Sequence, residues 1–244
     1  MLESRLMRSS LALFISSLFL SGLILSAQTV SEVEITAEPS HHLALQNQYV
    51  RVFKVEVAPH QATLMHRHRH DYIFVTLGQS LVENQVAGKA PLKLSLQDGE
   101  TWFVPGGFAH IATDLADQPF RNITIELLQD AKARSSAPHP WDEDRGLHIL
   151  NGGTQDILFV KDNARATELQ LNPGGVFPKA QHARPQLLVA VTDLNLRSGV
   201  GGKSAIQLKA GDIAWIKAGF SGDLSNAGQQ TAKFIILEFA AGSV

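Results

Sequence analysis

Short runs of alternating apolar and polar residues, each closed by a turn, occupy nearly the whole chain after Tyr49. They restrict the fold more than any other feature. Residues 49–57 read YVRVFKVEV, a period of two. Similar runs follow at Tyr72–Leu77, Leu81–Val86, Leu92–Leu96, Thr101–Val104 and Arg121–Leu128. Turn chemistry separates them at Ala58-Pro59, Ala87-Gly88, Asp98-Gly99 and Pro105-Gly106-Gly107. Long runs of helical period are missing from residues 28–244. Strands this short and this evenly spaced predict an all-β chain, a sandwich or barrel.

Composition narrows the chemistry. Of 244 residues, 44% are apolar and 18% charged, enough for a packed core and unlike a disordered chain. A formal charge of −2 offers no electrostatic footprint for nucleic acid. There is no cysteine, which excludes disulfides, thiolate ligands and cysteine nucleophiles. Any transition metal has to be held by His, carboxylate or Tyr.

Residues 1–27 read as an export signal. Arg5 and Arg8 precede the apolar stretch Leu11–Leu25, and small residues Ser26 and Ala27 follow. The stretch is short for a bilayer span, so cleavage is expected rather than anchoring, with no stable membrane span afterwards and a periplasmic or secreted destination.

The remainder divides in two. Residues 45–128 form one strand-rich half and 154–244 a second, with a connector over 129–153. That connector holds prolines, acids and a short helical pattern near Asp130–Arg134, and strands are expected to resume at Ile157–Val160. The halves repeat. Gly99 through Glu126 overlies Gly211 through Glu238 without a gap, bringing Gly107 onto Gly219 and Phe108 onto Phe220. Upstream, an offset two residues larger aligns Pro59 with Pro173 and His68 with His182. A duplicated β domain follows.

The chemistry gathers in the first half. In HRHRHDY, residues 66–72, alternation sets His66, His68, His70 and Tyr72 on one face, running on into Phe74. Arg67, Arg69 and Asp71 then point to solvent, which accounts for the arginines without a polyanion. Several imidazoles facing a barrel interior would be desolvated with few partners, and a divalent metal removes that conflict. The second element, GETWFVPGGFAHIATD over residues 99–114, carries a turn glycine, a Pro-Gly-Gly turn and His110 at the start of the returning strand.

These two elements resemble the motifs of the cupin superfamily. Gly99, Pro105, Gly107 and His110 match G-x5-P-x-G-x2-H-x3-N at the required spacing, and Asp114 replaces the last Asn. His66 and His68 match the H-x-H of the first motif, and Gly78 resembles its closing glycine one residue early. The resemblance implies a bicupin, two double-stranded β-helix (jelly-roll) barrels. Its first barrel would hold one divalent transition metal (Fe, Mn, Ni or Zn) on His66, His68 and His110. The usual metal-binding Glu is replaced by Tyr72, which becomes the candidate catalytic residue. The fourth ligand position falls to water, Tyr72 or His70, in that order. In the second half Lys217 and Gly222 stand where Pro105 and His110 do, and Ala180, His182 and Gln186 answer to His66, His68 and Tyr72. That barrel is expected to be degenerate, while Asn226 keeps the motif's last position.

The remaining histidines, His41, His42, His60, His139 and His148, fit no motif and are expected in solvated loops. Two functions stay open, beside a structural, metal-free cupin. One is a dioxygenase-like metal enzyme acting on a small organic substrate, since a three-His site resembles that of the thiol dioxygenases. The other is a non-catalytic metal- or ligand-binding protein of the cell envelope. The resemblance also allows for a homodimer.

Overall fold

The computed structural model describes residues 31–128, 146–161, 164–178, 184–198, 204–219 and 222–239. The leader, most of the connector, Ala180, His182 and Phe220 lie outside them. The first part runs β1 (Val33–Glu34), a 3-10 turn (Ile35–Ala37), β2 (His41–Gln46), β3 (Val50–Val57), β4 (His66–His68), β5 (Tyr72–Leu77) and β6 (Ser80–Val86). It continues through β7 (Leu92–Leu96), β8 (Thr101–Val104), β9 (Phe108–Asp114) and β10 (Phe120–Leu127). The second runs β11 (Gly146–Lys161), β12 (Ala164–Phe177), β13 (Gln186–Ala190), β14 (Leu194–Ser198), β15 (Ser204–Leu208), β16 (Ile213–Ile216), β17 (Leu224–Asn226) and β18 (Ala232–Phe239). The expected all-β class holds, and among the described residues no helix is long and apolar enough to cross a membrane.

Two expectations about where strands begin need correction. β1 and β2 precede Tyr49 and join the first two sheets, β1 beside β4 and β2 beside β3. β11 starts at Gly146, well before Ile157. Both starts were hidden because an edge strand needs apolar residues on one side at most, so its alternation is faint.

The first half contains two sheets, in the orders β1-β4-β9-β6-β7 and β2-β3-β10-β5-β8. The second half repeats that order in one continuous sheet. β11-β12-β18-β13-β16 corresponds to the second of those sheets, and the end of β12 leads on to β17-β14-β15. The registers repeat as well. Arg51 lies opposite Glu126, which lies opposite Tyr72; Arg165 lies opposite Glu238, which lies opposite Gln186. Both arginines close an ion pair with the facing glutamate. These are two jelly-roll barrels.

Three cores explain the sequence pattern. In β5, Ile73, Val75 and Leu77 pack with Ile123 and Ile125 of β10 against Leu187, Val189, Ile235 and Leu237 of the second half. The opposite face of β3 sends Phe53, Val55 and Val57 into the first barrel with Val82, Leu96 and Phe120. Strands buried on both faces read as nearly continuous apolar runs, and β13 is buried at every position. The second barrel encloses Leu169, Leu171, Leu196, Leu224 and Phe234.

Leu187 is fully buried in the core shared by the two halves. Leu187→Ala should therefore cost about 2–5 kcal/mol in denaturant titration. Leu81→Ala, at a 41% exposed position, should stay within about 0.5 kcal/mol.

Candidate metal centre

β4 and β9 are antiparallel neighbours with His66 directly opposite His110. This pairing brings the residues of the two motifs together. The turn between β8 and β9 sets it. Gly107 has φ of 90° and donates its N–H to the His68 carbonyl at 2.7 Å. Gly106 donates to Asp71 Oδ1 at 2.7 Å, and a Cβ on it would stand 2.3 Å from the His70 carbonyl oxygen. Pro-Gly-Gly is therefore demanded by contact with the β4–β5 connection. Asp114, fully buried, accepts the N–H groups of Ala116 and Phe120 and closes the β9–β10 turn. Asn226 does comparable work in the second half, through Leu171, Gly228 and Gln230.

His66 and His68 are each 1% exposed. With His110 they line a cavity of about 290 Å³ whose other walls include Tyr72, Phe74, Val82, Leu94, Phe103 and Phe120. Arg67 and Arg69 point outward as expected, and pair with Glu32 and Glu34. His70 departs from the alternation. The chain leaves one sheet after His68 and enters the other at Tyr72, so His70 falls in the connection and does not line the cavity.

Sequence reasoning missed three groups here. The sequence pattern places His41 in a solvated loop, yet it sits on β2 with its side chain 4% exposed. His41, His66 and His68 each offer a ring nitrogen within 4.8 Å of the others. Glu38, 3% exposed, lies 2.6 Å from His41 Nδ1 and also accepts N–H groups from Ser40 and Leu64. Burial pushes its carboxyl up, but the bonds from His41, Leu64 and Ser40 outweigh that and hold it below its ordinary value. Asn84 accepts from His110 Nδ1 at 2.6 Å. An inward polar residue two places after Val82 was the available signal for Asn84; nothing flagged Glu38 and His41. Among the other unassigned histidines, His42 and His148 also lie on strands, whereas His60 sits in an exposed turn.

These partners set the tautomers. His41, His66 and His110 each donate from Nδ1, to Glu38, the Leu64 carbonyl and Asn84 respectively. In the neutral ring that donation leaves the lone pair on Nε2. His66 Nε2 is buried without a partner, as is His68 Nδ1. His68 Nε2 and His110 Nε2 are 3.2 Å apart. Nitrogens bound about 2.1 Å from one metal, at tetrahedral or octahedral angles, stand roughly 3.0–3.4 Å apart. The His68–His110 spacing, with the ring nitrogens of His41, His66 and His68 within 4.8 Å of one another, therefore fits one divalent transition metal, and His41, His66 and His110 carry the outer hydrogen bonds typical of metal-binding imidazoles.

Burial holds His66, His68 and His110 neutral, aided for His66 by His41 and for His110 by His66. It pushes His66 down to about 4 and His110 to about 3, with His68 lower still. Burial alone pushes the Tyr72 phenol up, and its ring stacks on His68 at 4.0 Å between centroids.

No protein-family pattern and no curated protein sequence matches the chain. Solved structures do. A mutant oxalate decarboxylase from Bacillus subtilis aligns with a TM-score of 0.58 and 11% identity, over 82% of this chain and 75% of that one. The chain is folded as a cupin. The formate complex of Lactobacillus farciminis oxalate decarboxylase gives 0.58 and 14%, over 82% of this chain and 84% of that one. AerE from Microcystis aeruginosa gives 0.56 and 13%, covering 84% and 99%. At these identities the likeness is one of fold.

Asn84→Ala should weaken metal affinity about 10- to 100-fold, read by competition with a chromogenic chelator. The metal-free protein should lose stability in acid. Because the three histidines titrate lower in the folded than in the unfolded chain, their contribution is complete above about pH 6.5. It should fall as pH drops toward 4 and below, as denaturation midpoints across that window will show.

Proposed function

We propose that this chain is an exported, metal-binding bicupin whose first barrel is a dioxygenase-like enzyme for a small, largely apolar organic molecule. In this reading residues 1–27 are removed on export to the periplasm or medium. Residues 45–128, with β1 and β2, make the working barrel; 129–153 connect it to 154–244, a barrel that has lost its site and completes the fold. The observation that carries the substrate class is the cavity wall. Beyond the histidines it is built from Val, Leu, Phe, Trp and Ala, with Tyr72, Thr63, Asn84, Asn122 and Thr124 as polar points, and no Lys or Arg. Oxalate, named for several structural neighbours, is a small dianion, and this wall gives its second carboxylate no cationic partner.

His66, His68 and His110 would hold the ion, which when bound supplies Lewis acidity toward a substrate oxygen or electrons for dioxygen. The chain's own residues do the rest. Tyr72 stays protonated and lines the cavity, a donor for an oxygen of the substrate. Thr124 Oγ1 donates to Asn122 Oδ1 at 2.7 Å, which leaves the Asn122 amide hydrogens to orient the ligand. Trp102 and Leu92, 40% and 59% exposed, line the cavity where ligand would enter. At the matching place in the second barrel, Arg165, Gln186, Glu238 and Phe177 line a pocket of only about 10 Å³.

Protein purified without chelator should contain one transition metal per chain, and His110→Ala should contain far less. Equal content in the two would overturn the assignment. After anaerobic Fe(II) loading, oxygen uptake is expected with a member of a panel of apolar thiols, diketones and phenols, and not with oxalate. Binding of a panel member with no oxygen consumption would identify a binding protein instead.

A further inference from the structure

We propose that His41, held by the buried carboxylate of Glu38, is a fourth nitrogen ligand of this metal centre. It stands in for the glutamate that the cupin motif places where this chain has Tyr72. The inference rests on the reading of the first barrel as a metal site and adds a residue from outside both motifs.

Three independent observations converge on His41. The first is position. β2 pairs with β3 so that His41 lies opposite Val55, itself a cavity-lining residue. Val55 faces the core of the first barrel and His41 shares its face, with its side chain 4% exposed, although its neighbours His42 and Leu43 are exposed. The His41 ring comes to 4.7 Å from that of His66 and 6.3 Å from that of His68, between centroids.

The second is orientation. Glu38 is fixed by the N–H groups of Ser40, at 2.8 Å, and Leu64, at 3.2 Å, so it is a rigid acceptor for His41 Nδ1. A carboxylate on Nδ1 leaves the Nε2 lone pair as the free end of the ring and raises its basicity. That is the outer-sphere arrangement of metal-binding histidines. A histidine serving only to fill a core needs no buried carboxylate, which is costly to desolvate.

The third is the failure of the other side chains for that position; water in its place is the three-imidazole outcome of the test below. His70 is outside the cavity wall. Tyr72 lies nearly parallel to His68, at 18°, as a stacked ring. Among the described residues, Glu38 is already committed to three donors, and no carboxylate lines the cavity. His41 is the nitrogen that remains, and its ring nitrogen lies within 4.8 Å of those of His66 and His68.

The experiment uses the full chain, stripped with chelator and titrated with Co(II). X-ray absorption of the loaded wild type should count four imidazoles. His41→Ala should bind Co(II) at least 10-fold more weakly and show three, while Glu38→Gln should weaken binding about 10-fold with four retained. His42→Ala, at the exposed neighbouring position, should match wild type. Wild-type affinity in a folded His41→Ala protein, or three imidazoles in the wild type, overturns this inference and leaves the three-histidine site standing. A wild type that takes up no Co(II) overturns both. Should His41→Ala fail to fold, the wild-type imidazole count decides the question.

Discussion

Imidazole nitrogens gathered inside an apolar barrel are the constraint on which the rest of this structure depends. Each buried polar atom without a partner costs about 1–3 kcal/mol by mutational measures, and His66 Nε2 and His68 Nδ1 have none. The protein meets half of that demand itself. Glu38, the Leu64 carbonyl and Asn84 take the outward Nδ1 hydrogens of three rings, which leaves the inward nitrogens as bare lone pairs. Lone pairs facing one another in such surroundings favour a cation, so the same bonds that fix the rings also define what fits between them. The turn at Gly106 and Gly107 belongs to this arrangement, because it ties the carbonyl of His68 to the strand carrying His110.

The two barrels show what happens when that constraint is relaxed. Both keep the cross-strand ion pair, Arg51 with Glu126 and Arg165 with Glu238, at matching places in matching sheets. In the first, the residue beside the glutamate is Tyr72, which borders an open cavity. In the second it is Gln186, which turns its amide to Glu238 at 3.1 Å and helps to fill the barrel. Where the first barrel sets Tyr72 at the edge of its histidine cavity, the second sets an amide that pairs with its own glutamate.

Much of this was legible in the sequence. Turn glycines and the His110 spacing are local and discrete, so Gly99, Pro105, Gly107 and His110 could be placed by their match to the intervals of the cupin motif. Strands buried on one or both faces, such as β3 and β5, announced themselves by apolar content. What stayed hidden depended on long-range pairing. His41 looks like a loop residue because its strand is an edge strand with exposed neighbours, and only the fold brings it to His66. His70 obeyed the alternation on paper, but the chain changes sheets between His68 and Tyr72, and a period of two does not survive such a crossing. The start of β11 at Gly146 was masked in the same way by polar, glycine-containing sequence.

The central claim is that one divalent metal sits in the first barrel and none in the second. The direct test is a crystal of the Mn(II)- or Zn(II)-loaded protein with data collected at the metal absorption edge. The account predicts a single anomalous peak within bonding distance of nitrogens of His66, His68 and His110. A peak among Arg165, Gln186 and Glu238, or no peak at the histidines in a crystal of the loaded protein, would contradict it.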